Sequence, residues 1–375
     1  MEVKGAILRK LVLIGGGHAH LSVIRDIPRF VERGAAVTVV APSPFQYYSG
    51  MGPGMLGGDY RPEEIRFATR AAVERAGGRF VEDLVIGIDA ARRRLRLQSG
   101  PALAYDLLSC NCGSQVSMEG LPATGDTVFT VKPIEQLLSL QERLVTRGRS
   151  HGLHVAIIGG GPSAAEVAGN ILWLAARSDL SAVRVSVFCR GAFMARSAGR
   201  VRHLCRGMLA GRGVEFFEGH KVEEVRPDGL LTADGRFFPA DLLCVATGVR
   251  PSPLFAESGL PTGSDGGLLV NAFLQNPQYP EIFGGGDCIS FAPVPLARVG
   301  VHAVRQNPIL SANLLAAHTG RDLTPFQPNG GYLQIFNLGW QRGVLAKGAL
   351  VFSGRLAFLI KDLIDRRFIR RYQGG

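Results

Sequence analysis

Two stretches of the chain share one hydrophobic pattern: a short, unbroken apolar run meets three glycines, and apolar residues then resume at helical spacing. The first is Leu11-Val12-Leu13-Ile14-Gly15-Gly16-Gly17-His18-Ala19-His20, followed by Leu21, Val23, Ile24 and Ile27. The second, at mid-chain, is His154-Val155-Ala156-Ile157-Ile158-Gly159-Gly160-Gly161-Pro162-Ser163-Ala164-Ala165-Glu166. A continuous apolar run bounded by glycine predicts a strand buried on both faces, and the spacing that follows predicts a helix. In each turn the first glycine allows a sharp bend and the second lets an anion approach the backbone. The helix N-terminus adds free N–H groups and a positive dipole end. The third glycine position holds His20 in the first turn and the small Ala164 in the second. Two such turns predict two dinucleotide sites.

The same plan continues after each turn. Ala36 to Val40 reads as the next parallel strand of the first unit, and Val183 to Phe188 as that of the second. An acidic residue usually ends this strand and holds the ribose hydroxyls. The first unit instead reads Ala41-Pro42-Ser43-Pro44, leaving Ser43 or backbone for that task. The second reads Cys189-Arg190-Gly191, where Arg190 suits a 2′-phosphate or is simply an exposed strand-end arginine. Each half then closes with a strand running into a glycine turn, at residues 106–113 and 241–248, so the whole plan repeats. Glu281-Ile282-Phe283-Gly284-Gly285-Gly286-Asp287 delivers an aspartate at one more glycine turn, where its carboxylate can accept bonds from sugar-alcohol hydroxyls.

Other predicted elements are helices over 61–76, Pro133–Arg147, Ala164 to about Arg177 and Val301–Ala317, with short antiparallel strands over Phe80–Ile88 and Arg94–Gln98. Residues 45–60, rich in glycine and methionine, read either as a close-approach surface for a flat ligand or as an irregular loop. A polar, proline-rich stretch from Thr319 to Gly331 leads to the last element. Ser353 to Gln373 reads as an amphipathic helix, with Leu356, Ile360, Leu363, Ile364 and Phe368 on one face. Lys361, Arg366, Arg367, Arg370 and Arg371 crowd the other side.

Length and charge narrow the classes. At 375 residues the chain can hold two domains, and 49 glycines suit an α/β fold with many tight turns. From Val351 onward six Lys/Arg stand against two Asp, so the tail carries +4 of the net charge of +11. Such a helix either lies on an anionic membrane surface or packs its apolar face on the core. The basic balance is not accompanied by aromatic-and-basic interleaving, so nucleic acid is not an expected partner. The apolar run after the lysines of the N-terminus is short and ends in glycines, which reads as a first strand rather than a signal peptide. No run is long enough to span a membrane. The six cysteines form no CxxC or CxxxxC, and four sit in or at the ends of strand-like runs, as small buried hydrophobes do. Cys110-Asn111-Cys112 is a redox or metal pair, or a buried strand end. A reduced, cytoplasmic compartment fits this cysteine usage. His18 and His20 lack a third ligand nearby, and no metal is expected.

In this order the motifs resemble the two-dinucleotide-binding-domain flavoproteins of the pyridine nucleotide-disulfide oxidoreductase superfamily, over nearly the whole chain. Ala246-Thr247-Gly248 matches that group's second-domain turn, and Gly286-Asp287-Cys288 its flavin-ribitol motif. Without CxxxxC after the first unit the chain does not resemble the disulfide reductases. Pro53 to Gly58, Arg61-Pro62-Glu63-Glu64-Ile65 and the basic tail are similar to type II NADH dehydrogenases. His18-Ala19-His20, Tyr48-Ser49-Gly50-Met51, Asn111-Cys112-Gly113-Ser114, Val301 to Gln306 and Lys361 to Phe368 are similar to the flavoprotein module fused to selenophosphate synthetases. The quinone-site motif of the type II dehydrogenases has a glutamine where His302 stands.

The resemblance implies an α/β fold of two Rossmann-like domains, the second inserted in the first. It places an FAD-binding domain at 1–120 and 270–330, an NAD(P)H-binding domain at 121–269 and a C-terminal interface or membrane-surface segment at 331–375. FAD would be held by Gly15, Gly17, His18, Ala19, Ser43, Pro53, Gly113, Gly286, Asp287 and Val301. NAD(P)H would be held by Gly159, Gly161, Pro162, Ser163, Arg190 and Gly248. Glu166 either contacts the nicotinamide or a proton path, or stabilises a helix N-terminus. Lys132 either offers positive charge to reduced flavin or is a surface lysine. His302 and Gln306, one helical turn apart, face the acceptor or solvent. The implied activity is hydride transfer from NAD(P)H to FAD and then electron transfer to an acceptor, a quinone or another small molecule. It implies a peripheral position on the cytoplasmic face of a membrane and allows a homodimer. Two alternatives stand beside it. One is a soluble flavoprotein of sulfur or selenium redox metabolism that does not depend on pyridine nucleotide. The other is a nucleotide-binding sensor without turnover.

Overall fold

A computed structural model describes residues 8–118, 121, 126–180, 182–328 and 330–373. The basic residues that open the N-terminus, and the 120/121 division expected from the sequence, fall at or beside positions outside this set. Two five-stranded parallel sheets carry the two glycine turns. The first is ordered Ile282–Gly284, Leu107–Cys110, Arg9–Ile14, Ala35–Ala41, Arg79–Glu82. The second is ordered Val128–Thr130, Leu242–Val245, Leu153–Ile158, Val183–Cys189, Glu215–Glu218. In both, the strand that feeds the glycine turn is central, and its apolar run is continuous because both faces are covered. Leu11, Val12, Leu13 and Ile14 are at most 4% exposed, as are Val155, Ala156, Ile157 and Ile158.

Each sheet has its own apolar core, and the core of the second continues into the C-terminal segment through Phe336, Leu338, Val344 and Ile369. The aspartate-bearing strand, Ile282–Gly284, returns from far along the chain to the edge of the first sheet. A small antiparallel ladder joins the halves: Ser114–Val116, after the first unit's closing glycine turn, pairs with Val249–Pro251, after that of the second. The two turns are thereby fixed side by side.

Four expectations need correction. The 61–76 segment is not one helix: a 3₁₀ turn over Pro62–Ile65 and a helix over Thr69–Arg75 are separated by a two-residue strand that pairs with Gln46–Tyr47. Phe80 does not belong to an antiparallel strand but to Arg79–Glu82, which extends the parallel sheet; Val85–Asp89 makes the antiparallel pair with Arg94–Leu97. Residues 45–60 are ordered, with a buried helix over Gly52–Leu56. Its glycines admit the close approach of neighbouring side chains. A Cβ on Gly52 would lie 3.1 Å from Ile134, one on Gly54 3.1 Å from the Asn337 amide, and one on Gly57 3.1 Å from the Trp173 ring.

The C-terminal helix, Arg355–Gln373, is the fourth correction. Its faces do not divide as the spacing predicts. Ala357, Phe358, Asp365 and Ile369 are buried, whereas Leu356, Leu359, Leu363 and Ile364 point outward, Leu363 at 71% exposure. Lys361, expected on the solvated basic side, turns inward, donating to the Gly50 carbonyl at 2.6 Å and pairing with Asp365. The reason is the polar surface beneath. Tyr48 donates to Asp365 (3.0 Å) and Tyr60 to Asp362 (2.8 Å), while Phe368 stacks near Tyr48 with ring centroids 5.0 Å apart. The helix docks by a mixed polar and aromatic face. Among the described residues, no helix is long and apolar enough to cross a membrane.

Candidate functional site

The first glycine turn is built from the inside. Gly15 has φ +84°, open to glycine at little steric cost. A Cβ there would meet the Asn111 backbone, and one on Gly17 would collide with the Asn111 side chain. The sequence assigned the second glycine to an approaching phosphate; within the protein the close approach is Asn111, whose amide also donates to the Gly285 carbonyl. Asn111 thus ties the turn to the aspartate loop. His20, at the position where a small residue was expected, is fully buried and spans the turn. Its Nδ1–H donates to the Gly15 carbonyl (2.6 Å), and its Nε2 accepts from the Ser109 hydroxyl (2.8 Å). Burial pushes its pKa down to about 4, so the ring is neutral and holds that tautomer.

Asp287 lies at the mouth of this turn. Its Oδ2 accepts from Lys132 Nζ (2.7 Å) and Ser114 Oγ (2.9 Å), and Arg298 donates to its backbone carbonyl (3.0 Å). Burial pushes the Asp287 carboxyl up, but the charge and hydrogen bond of Lys132 and the bond from Ser114 outweigh it. The group stays ionised below the ordinary carboxylate range. Lys132 is therefore not a free surface lysine: it follows a strand of the second sheet and pairs across to the aspartate of the first. The Gly300–Thr319 helix closes the other side. Gln306 is 1% exposed, and its side-chain oxygen accepts from the Gly286 N–H at 2.7 Å, so it does not face solvent.

Of the nine buried side-chain polar atoms without a partner among the described residues, three belong to residues singled out for this site: His18 Nε2, His302 Nδ1 and Gln306 Nε2. An orphaned buried donor or acceptor is costly and calls for a ligand or water. His18 is pushed down to about 4 by burial and then by Lys132, while Asp287 pulls the other way. His302 is lowered by burial and by Arg305. Both rings are neutral near pH 7 and lie within electrostatic reach of Asp287. Gly113, at φ +73° with open space around it, completes the wall. Ala19 and Pro53 are buried, and Val301 opens the helix over Gly300–Thr319. Ser43 is half-buried at the end of its strand and accepts from the Phe45 N–H at 3.2 Å, closing its own turn. An ionised aspartate, open glycine backbone and orphaned groups on one wall fit a polar, sugar-bearing dinucleotide such as FAD.

The second turn is more open. Gly159 has φ +131°, and a Cβ on it would run into the Ala246 carbonyl. Gly161 and Gly248 have nothing near, and Pro162 and Ser163 are exposed at the helix start. Arg190 is exposed at the strand end. Glu166 does not cap its own helix. Its carboxylate accepts from the Asn337 N–H (2.9 Å) in the C-terminal segment. Burial pushes it up to about 7, against the pull of Lys361 and the Asn337 bond. Lys361 in turn is disfavoured as a cation by burial, but Asp365 and Glu166 more than offset this and raise it.

Sequence reasoning did not single out Asn111, Ser114 or Arg298 as individual side chains, although the first two lie in a quoted motif. It also missed Tyr48, Lys361 and Asp365 as one polar cluster; their only trace is the i,i+4 Lys–Asp spacing in the tail. Of the six cysteines only Cys112 is exposed, and the Cys288 thiol donates to the Cys110 carbonyl at 3.3 Å.

The sequence profile described as pyridine nucleotide-disulphide oxidoreductase matches residues 9–307. The chain is 26% identical over 291 residues to the NAD(P)H nitrite reductase of Bacillus subtilis, covering 75% of this chain and 34% of that one. It is 27% identical over 276 residues to a demethylphylloquinone reductase of Synechocystis, covering 70% of this chain and 66% of that one. The chain thus spans about a third to two thirds of the length of these relatives. Among solved structures, the sulfide:quinone oxidoreductase of Aquifex aeolicus superposes with a TM-score of 0.80 at 17% identity, covering 98% of this chain and 92% of that one.

Proposed function

The chain belongs to the pyridine nucleotide-disulphide oxidoreductase family, and from that premise we propose that it is an FAD-dependent oxidoreductase. In this reading it takes a hydride from NAD(P)H and delivers electrons to a quinone. The observation that carries the reading is the junction of the two units: paired closing turns, with Lys132 of one on Asp287 of the other. That junction brings two nucleotide sites edge to edge. The quinone is favoured because the cyanobacterial relative is named as a demethylphylloquinone reductase and a 24% identical Arabidopsis relative as an NAD(P)H-ubiquinone oxidoreductase.

Bound FAD supplies the hydride-accepting and electron-passing chemistry; the chain binds, orients and tunes. Gly15, Gly17, His18 and Ala19 cradle the pyrophosphate, Ser43 serves the ribose, and Asp287 accepts from the ribitol hydroxyls. Pro53, Gly113, Gly286 and Val301 line the flavin end. Lys132 keeps Asp287 ionised and adds positive charge there. Gly159, Gly161, Pro162, Ser163 and Gly248 receive the pyridine nucleotide. Glu166, half-protonated near neutral pH, holds or releases a proton at its carboxyl oxygens, with Lys361 as its charged neighbour. His302 lies on the acceptor side, and Gln306 positions the Gly286 turn for it. The FAD unit is assigned residues 1–120 and 270–330, the NAD(P)H unit 121–269 and the acceptor-side segment 331–375.

The outward Leu356, Leu359, Leu363 and Ile364, flanked by Arg367, Arg370 and Arg371, suit an anionic bilayer surface on the cytoplasmic side. A quinone dissolved in that bilayer is then reached without a membrane-spanning helix. The test is NAD(P)H oxidation by the FAD-loaded protein with a water-soluble, short-chain quinone under argon. Quinone-dependent turnover is expected; turnover with no quinone dependence sinks the acceptor assignment.

A further inference from the structure

The turn that closes the first unit and the aspartate loop are laced together residue by residue. Gly285 donates its N–H to the Cys110 carbonyl (3.0 Å), the Asn111 amide donates to the Gly285 carbonyl, and the Ser114 hydroxyl donates to Asp287 Oδ2 (2.9 Å). The Cys288 thiol shares its hydrogen between the Cys110 carbonyl (3.3 Å) and the Gly285 carbonyl (3.4 Å). Cys112 stands between these rungs. Its side chain and its N–H, with the N–H of Gly113, face the Cys288 sulfur. Spacing along the chain pairs Cys112 with Cys110; the lacing pairs it with Cys288.

The two sulfurs are unlike. Cys112 is exposed, whereas Cys288 is 0% exposed. Oxidation of a thiol needs access, so a small oxidant meets Cys112 first. The Cys288 thiol is held well above its ordinary range, first by the Cys112 thiol beside it and then by burial, against the N–H groups of Cys112 and Gly113. While Cys112 is a thiol, Cys288 therefore keeps its proton. Oxidation of Cys112 to an uncharged sulfenic acid takes that opposing thiol away. The two N–H groups remain aimed at the Cys288 sulfur, where they favour the thiolate. The exposed sulfur is placed to be attacked and the buried one to resolve it.

We propose that Cys112 and Cys288 form a peroxide-reactive pair, in which Cys112 is oxidised first and Cys288 closes an intramolecular disulfide with it. This chemistry goes beyond hydride transfer and draws no electrons from the flavin. The Cys112 sulfur, as thiolate, attacks one oxygen of hydrogen peroxide. The O–O bond breaks, the departing hydroxide takes the thiol's proton and leaves as water, and Cys112 is left as sulfenic acid. The Cys288 sulfur then attacks the Cys112 sulfur, the S–O bond breaks, and a second water leaves with the Cys288 proton. Each sulfur gives up one electron, and the peroxide takes both. The new bond ties the aspartate loop to the turn that carries Gly113 and Ser114.

The test is thiol counting on the full FAD-loaded chain, without NAD(P)H. Equimolar hydrogen peroxide is expected to remove two of the six thiols, and dithiothreitol to restore both. Peptide mapping should find the Cys112 and Cys288 peptides joined, lighter by two hydrogens. Cys288→Ser leaves Cys112 without its resolving partner, so dimedone, which traps sulfenic acids, should label Cys112 in this variant and not in wild type. Cys112→Ser should keep all its remaining thiols under the same peroxide. Where a variant fails to fold, the wild-type peptide map decides. A bridge from Cys112 to Cys110, a bridge between two molecules, or no loss of thiols with equimolar peroxide overturns the proposal. None of these readouts involves turnover, so the oxidoreductase reading stands or falls separately.

Discussion

Replacing Glu166 by Gln isolates a carboxyl group that joins the second unit to the C-terminal segment. Gln keeps an oxygen for the Asn337 N–H and removes the ionisation. The Glu166 pKa rises from 4.5 to about 7 on folding, and burial is the cause. Between those values the folded chain holds a proton that the unfolded chain has lost. Stability from this group is therefore greatest at low pH, declines as pH rises through the window, and levels off above about pH 7. At 1.36 kcal/mol per unit the full penalty is about 3 kcal/mol, most of which develops between pH 5 and pH 8. With an unfolding entropy near 2.1 cal/mol/K per residue, that is a melting shift of about 3 °C. The assay is thermal melting of wild type and Glu166→Gln side by side over that range. The variant should gain about 3 °C on wild type from pH 5 to pH 8. An offset that stays constant with pH would mean that Glu166 titrates like an ordinary surface carboxylate, and the reasoning about its burial would be wrong.

Other consequences are equally specific. Asp287→Ala removes the partner of Lys132 and Ser114, and the purified variant should carry far less flavin by its absorbance ratio; full flavin content would contradict the role of this carboxylate. Gly159→Ala forces a Cβ into the Ala246 carbonyl at a positive φ, which costs about 1–3 kcal/mol in strain alone and lowers the melting temperature. Gly161→Ala meets open space, so it should leave melting unchanged and weaken only nucleotide binding; the reverse ranking of the two melts would refute the geometry. His20→Ala strands the Gly15 carbonyl and the Ser109 hydroxyl, at about 1–3 kcal/mol per buried group, and a melt equal to wild type would show the staple to be dispensable. Leu356→Glu combined with Leu363→Glu should abolish co-flotation with anionic vesicles without changing the melt, whereas undiminished flotation would remove this face from any membrane role.

The α/β plan was legible because it is written in contiguous residues. A strand buried on both faces must be apolar throughout, and the glycine that bends the chain follows at once, so the turns at Gly15 and Gly159 announce themselves locally. What joins distant segments was not legible. His20 looked like a defect in a glycine pattern because its partner Ser109 lies 89 positions away. Lys132 could not be told from a surface lysine because its partner Asp287 lies 155 positions away. Helical spacing also misassigned the tail. It counts apolar residues as inward, yet a helix docks on whatever its receiving surface offers. Here that surface is Tyr48, Tyr60 and the Gly50 carbonyl, so Lys361 and Asp365 went in and Leu363 stayed out. The residues 45–60 went astray for a related reason: a glycine needed for close packing cannot be told from one needed for a ligand without knowing what stands opposite.

The central claim is that pyridine nucleotide bound at the second turn reduces a flavin bound at the first. Its most direct test is an anaerobic titration of the FAD-loaded protein with NADPH and with NADH, followed by stopped-flow absorbance of the flavin. Rapid bleaching in proportion to added nucleotide, to one equivalent, is the predicted result. A flavin spectrum that neither nucleotide changes faster than buffer alone would contradict it.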